Sequence, residues 1–138
     1  MRPLSPLSCL ALVIATGMVA GIAPLAAQVA RPRMWDDGAA QAGESIWKRR
    51  QCYGCHELGR QQSTGPDLIG VTDRRSKEWL VKWLRNPVAM TGDDSIGQAL
   101  KKQFNSQMPN FGLSEVDANA LINFFARVTW TSKNKDKE

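Results

Sequence analysis

Cys52-Tyr53-Gly54-Cys55-His56 gathers two thiols and an imidazole within five residues, and His56 is the sole histidine of the 138-residue chain. Two thiols at this spacing can add across the two vinyl groups of a haem, while the adjacent imidazole reaches the iron from one face. Cys52 and Cys55 are therefore the candidates for covalent haem attachment, and His56 is the candidate axial ligand. Other chemistries use parts of the same pattern. A thioredoxin-like redox pair calls for a βαβ setting, and no such alternation surrounds these residues. Structural zinc takes four ligands, yet no Cys or His follows His56. A disulfide between the two cysteines leaves the histidine without a role.

An iron held by one imidazole has a second axial position. Beyond the first 27 residues the soft donors left for it are Met34, Met90 and Met108. Met108 is favoured, because Pro109 fixes the backbone beside it and the flanking Asn and Gln residues suit a loop that aims one thioether. Met90 comes next, and a lone methionine otherwise fills gaps in a core. With both axial positions filled, no site is open for a substrate, which favours electron transfer over catalysis. Sulfur ligation and apolar burial both favour ferrous iron, so a fairly positive potential is expected. The imidazole also wants an acceptor for its other ring nitrogen. The Pro66 carbonyl in Gly65-Pro66-Asp67-Leu68 can supply it, although the same residues read equally well as an ordinary turn.

The elements that must position these groups are helical. Gly38 to Arg50 carries Ala39, Ala40, Ala42, Gly43, Ile46 and Trp47 three and four apart, a helix leading into the cysteines. Ser76 to Arg85 places Trp79, Leu80, Trp83 and Leu84 on one face, with Ser76 as the cap and Asn86-Pro87 as the stop. Residues 88–94 read as a loop, and Ser95 to Phe104 as a short helix with Ile96, Leu100 and Phe104 facing inward. Ser114 to Val128 forms a last helix, capped by Ser114 with Asp117 three residues on. Arg74, Arg75 and Trp79 are candidates to contact the haem propionates or lie in a second shell, against ordinary packing and a solvated basic turn.

Residues 1–27 differ in composition from the rest. Arg2 is their only charge, Leu7 to Val19 is mostly apolar, and Ala23, Ala26 and Ala27 follow. That is the layout of a secretory signal peptide cut after Ala27; the alternative is an uncleaved anchor over Leu4 to Ala27. Either way the remainder is expected outside the cytoplasm, in a periplasmic compartment. Cys9 lies in the leader, so the two cysteines left are both claimed by haem. Removal of the leader takes only Arg2, leaving 17 Lys+Arg against 13 Asp+Glu and a net charge of +4. That mild balance, without an aromatic-interleaved basic stripe, gives no case for nucleic-acid binding. Residues 28–37 read as a polar, mobile entry segment and 131–138 as a disordered tail.

Over roughly Gly38 to Val128 the chain resembles the class I c-type cytochromes. The resemblance rests on Cys52-Tyr53-Gly54-Cys55-His56, Gly65-Pro66-Asp67-Leu68, Met108-Pro109 and Leu121-Ile122-Asn123-Phe124-Phe125. It implies an all-α domain at 38–130, four to five short helices and loops wrapped round one covalent haem c. It further implies that the first and last helices cross at right angles, with Gly43 and Trp47 near Leu121 and Phe124. The Pro66 carbonyl would take the His56 ring proton, and Met108 would be the distal ligand. The Asp73 to Phe104 region is longer than in the smallest members.

The expected function is one-electron carriage between a redox protein donor and acceptor, with no small-molecule substrate. A membrane partner enters only if the leader stays attached. The alternative is a dedicated haem subunit of a larger oxidoreductase. A haem peroxidase or gas sensor is a weaker third reading, because it needs a labile sixth position. Lys48, Arg49, Arg50, Lys101 and Lys102 lie near the Cys and Met segments and can steer acidic partners, if they are not simply solvated helix faces.

Overall fold

The computed structural model describes residues 34–60 and 63–135. The leader and residues 28–33 of the entry segment lie outside this range. Helices α1 (Asp37–Arg49), α2 (Val71–Arg74), α3 (Lys77–Arg85), α4 (Pro87–Asp93), α5 (Ser95–Phe104) and α6 (Glu115–Asn134) are joined by a single 3-10 turn at Cys52–Gly54 and by loops. Among the described residues there is no strand, and no helix is long and apolar enough to cross a membrane.

Helix α1 starts where the Asp36 carboxylate accepts from the Ala39 amide, and its apolar stripe buries Ala40, Gly43, Ile46 and Trp47. It packs on α6, the most extensive contact between any two elements. Gly43 permits that approach: a Cβ there would collide with the Ala120 carbonyl. Trp47 then reaches both Phe124, at 6.0 Å between ring centroids, and Phe125, at 5.9 Å and edge-on. The resemblance places Gly43 and Trp47 against this part of α6, and they are there.

Helix α6 begins with a reciprocal capping box. The Asp117 amide donates to the Ser114 hydroxyl, and the Ser114 amide donates to the Asp117 carboxylate. That hydroxyl is the main reason the Asp117 carboxyl sits below its usual range. Ala118, Leu121, Ile122, Phe124 and Phe125 fill the centre, joined by Leu80 and Leu84 of α3 and by Leu113.

The structure departs from the sequence reading in three places. Residues 88–93 are not a loop, and only Asp94 separates them from α5. Asn86 closes α3 and also accepts from the Ala89 amide, so the residues read as a stop signal start α4, with Pro87 in its first turn. Thr131 to Asn134 are not disordered. They continue α6, held by Lys133 on Asp73 at 2.7 Å and by the Asn134 side chain on the Trp130 carbonyl. The end of the entry segment is anchored as well: the Asp36 amide donates to the Asn123 side chain at 2.8 Å, and Trp35 lies against Trp130. Among the described residues there are six helices, counting the one-turn α2, and the all-α class is as the resemblance implies.

Candidate functional site

Gln51 adopts the left-handed conformation at φ 53°, which turns the chain sharply out of α1. The 3-10 turn follows, with the His56 and Cys55 amides both donating to the Cys52 carbonyl. This local winding folds the three functional side chains back into one group. Cys52 is half-buried, Cys55 exposed, and both are free thiols. Burial pushes the Cys52 thiol up from its ordinary pKa.

The next segment is built around the imidazole. The Gly65 amide donates to the Cys55 carbonyl at 2.7 Å, which closes the loop onto the motif. His56 Nδ1 lies 2.9 Å from the Pro66 carbonyl, so this ring nitrogen is the donor and Nε2 is left for a metal. Burial lowers the His56 pKa, against the opposing pull of the Pro66 carbonyl. A Cβ at Gly65 would sit 2.7 Å from His56 Cε1, so glycine is required for the ring to stand where it does. Asp67 stiffens the same loop by accepting from the Gly59 and Ile69 amides.

Cys52, Cys55, His56, Pro66, Arg74, Arg75, Trp79 and Met108 all line one cleft. Its walls are otherwise largely apolar, with Leu68, Leu80, Leu100, Phe104 and Phe125 among them, and it holds about 1370 Å³ of atom-free space including the part open to solvent. The three methionines separate clearly. Met108 is half-buried in this cleft and packs against the core. Met90 lines a different groove with Lys82, Arg85 and Leu113, and Met34 is 83% exposed.

The expected propionate contacts have other partners. The Arg74 guanidinium donates to the Ile69 and Asp67 carbonyls, at 2.6 and 3.0 Å. Arg75 sits over the Trp79 ring, 5.5 Å from its centroid, and donates to the Arg74 carbonyl. Trp79 stacks on Trp83 at 5.2 Å and gives its indole N–H to Asp94. The Asp94 carboxyl is held below its usual range, chiefly by the Gly97 amide and also by that indole. Of the basic residues near the site, Lys48 is paired with Glu44 at 2.6 Å, while Arg49, Arg50, Lys101 and Lys102 are exposed. Lys101 stands at the cleft itself.

Sequence reasoning passed over Gln51 and Thr91 and took Gln107 only as a polar neighbour of Met108; all three line the cleft. Polar residues of this kind leave no periodic signal, and Thr91 fell in a stretch taken for a loop. Thr129, a buried polar residue on α6, was missed for the same reason; its hydroxyl accepts from the Gly70 amide and ties α2 to α6.

The donor set fits a covalently held haem: two thiols, an imidazole with a free second nitrogen and a thioether converge on a cleft with apolar walls. Among the described residues no group of three or more His, Cys, Asp or Glu is placed to hold a metal ion.

A family model described as cytochrome c matches residues 40–129. A cytochrome c from Rhodothermus marinus superimposes with a TM-score of 0.67 at 28% identity, over 75% of this chain and 88% of that one. The cytochrome c domain of the pp3183 protein from Pseudomonas putida gives 0.58 at 33% identity, over 70% of this chain and 95% of that one. No curated protein sequence matches significantly.

Proposed function

Because the chain belongs to the cytochrome c family, which implies a covalent haem c and haem-based electron transfer, we propose that it is an exported one-electron carrier working between two redox proteins. His56 and Met108 are the axial ligands in this reading. The observation that carries it is that, of the described methionines, Met108 alone shares the cleft with Cys52, Cys55 and His56.

Haem supplies a one-electron iron couple when bound. The chain's own residues supply the rest. Cys52 and Cys55 tether the group. Pro66 accepts the Nδ1 proton of His56, which fixes the tautomer and raises the basicity of Nε2. Met108 would supply the second protein ligand, and the largely apolar walls would keep water from the iron. Cys55 and Tyr53 stand at the surface, with Tyr53 54% exposed, and mark the side on which a partner would approach. Lys101 and Lys102, together with Arg49 and Arg50, would draw in an acidic partner.

A low-spin ferric spectrum is expected, with an electron-transfer rate to an acidic partner that falls steeply as salt is added. A high-spin ferric spectrum would defeat the carrier reading, and a salt-independent rate would remove the steering residues from it. Export is tested by N-terminal sequencing of the native protein, with Gln28 expected first. The second reading is a dedicated haem subunit of a larger oxidoreductase; the Pseudomonas putida relative is itself a cytochrome c domain of a protein. Purification of the native protein as a stable complex with a larger subunit would select it.

A further inference from the structure

Residues 105–113, which carry Met108, contain no helix, and among the described residues a single hydrogen bond joins them to another element. It is made inside the cleft. Thr91 Oγ1 on α4 lies 2.8 Å from Gln107 Oε1, and Gln107 Nε2 donates to the Met108 carbonyl at 3.1 Å. The Gln107 side chain therefore bridges α4 to the main chain of Met108 itself. The Thr91 hydroxyl lies equally close, at 2.8 Å, to the Val88 carbonyl, so its one proton is shared between an acceptor within α4 and the Gln107 oxygen.

The far end of the bridge is firm. Helix α4 is capped by Asn86 and starts on the buried Pro87. Gly97 lets α5 approach so closely that a Cβ there would strike the Met90 carbonyl. Gln98 adds a 2.6 Å bond to the Gly92 carbonyl. A polar pair in largely apolar surroundings is costly to leave unmade, so once formed it specifies one position for the loop.

Building on the assignment of Met108 as axial ligand, we infer that Thr91 and Gln107 are positioning residues that hold the Met108 sulfur in reach of the iron and so keep the sixth position closed to outside ligands. Loss of the bridge enlarges the fraction of molecules with Met108 detached. The apparent affinity of an added ligand rises with that fraction.

The test uses ferric holoprotein of the full chain and imidazole as the probe. Thr91→Val and Gln107→Leu are each expected to raise imidazole affinity about five- to tenfold, the effect of losing one hydrogen bond, and to weaken the sulfur-to-iron charge-transfer band. Thr91→Ser keeps the hydroxyl and should behave as wild type. The double variant should bind imidazole no more tightly than the stronger single variant, because both changes break one bridge. Imidazole affinity within twofold of wild type in both single variants overturns the inference, even where thermal stability falls. So does an additive double variant. Should Thr91→Val not fold, Gln107→Leu with Thr91→Ser gives the same decision. A Met108→Ala protein whose spectrum and imidazole affinity match wild type would instead sink the ligand assignment beneath the inference.

Discussion

The two faces of the cleft are built by opposite means. On the histidine face, sequence neighbours do the work: the 3-10 turn, the Gly65 amide on the Cys55 carbonyl and the Pro66 carbonyl on His56 lie within 15 residues of one another. Around Met108 the segment is irregular, and among the described residues its one hydrogen bond to another element spans 16 residues, from Gln107 to Thr91. The first face is wound into its shape locally, and the second is hung from α4. The difference would suit the proposed ligation, in which the thiols and imidazole act together at one short motif and the thioether comes from a distant segment.

Breaking the histidine face has the largest expected effect. The Cys52→Ala/Cys55→Ala protein should show no haem-stained band after denaturing electrophoresis, while wild type stains; a stained band at the protein's mass would refute covalent attachment through these residues.

The scaffold shared by both faces comes next. Trp47 is 6% exposed and wedged between two phenylalanines of α6. Trp47→Ala should cost about 3–5 kcal/mol in denaturant unfolding, and a loss under 1 kcal/mol would show that the contact between α1 and α6 does not rest on it. Gly65→Ala sharpens the comparison, since the atoms nearest the new Cβ are those of the His56 ring and the Cys55 carbonyl. Overpacking there should cost about 1–3 kcal/mol and shift the ferric spectrum. A spectrum unchanged from wild type would mean that the ring position is set elsewhere.

Ser114→Ala removes one half of the α6 capping box and should cost about 1 kcal/mol with no spectral change. The smallest effect is with pH. The Lys48 ammonium, and beyond it Arg127, hold the Glu44 carboxyl below its ordinary 4.5. A carboxylate with a depressed folded-state pKa stabilises the fold above 4.5 and loses that contribution as pH falls through the lower, folded value. The Glu44→Gln protein should therefore match wild type in strongly acid solution and be slightly less stable near neutrality, by well under 1 kcal/mol for so exposed a group. An equal difference at both pH values would place the effect elsewhere.

The histidine face was also the more legible in sequence, for the same physical reason. Attachment chemistry forces a contiguous motif, so Cys52, Cys55 and His56 announce themselves, and the glycine and proline that wrap the imidazole follow closely. Helices α1, α3 and α6 were legible because each buries a stripe against the core, and that leaves a 3.6-residue period; α5 keeps the period with Leu100 and Phe104 along the cleft. Helix α4 has no such stripe. Its Val88-Ala89-Met90-Thr91-Gly92-Asp93 segment is helical because Asn86 caps it and α5 backs it, so a dipeptide that stops one helix also starts another. The end of α6 was hidden for a related reason: Lys133 finds Asp73 only after α2 is in place. The partners that Arg74 and Trp79 have within the chain come from distant residues and loop carbonyls that the sequence does not show. Choosing Met108 over Met90 from the neighbouring proline pointed to the cleft, but it is α4 that turns Met90 into a separate groove.

The central claim is that this cleft closes on iron from both faces, with Met108 as the second ligand. The most direct measurement compares the sulfur-to-iron charge-transfer band of the ferric protein in wild type, Met108→Ala and Met90→Ala. The band should be present in wild type and in Met90→Ala and absent in Met108→Ala. Its survival in Met108→Ala, or its absence from wild type, would contradict the account.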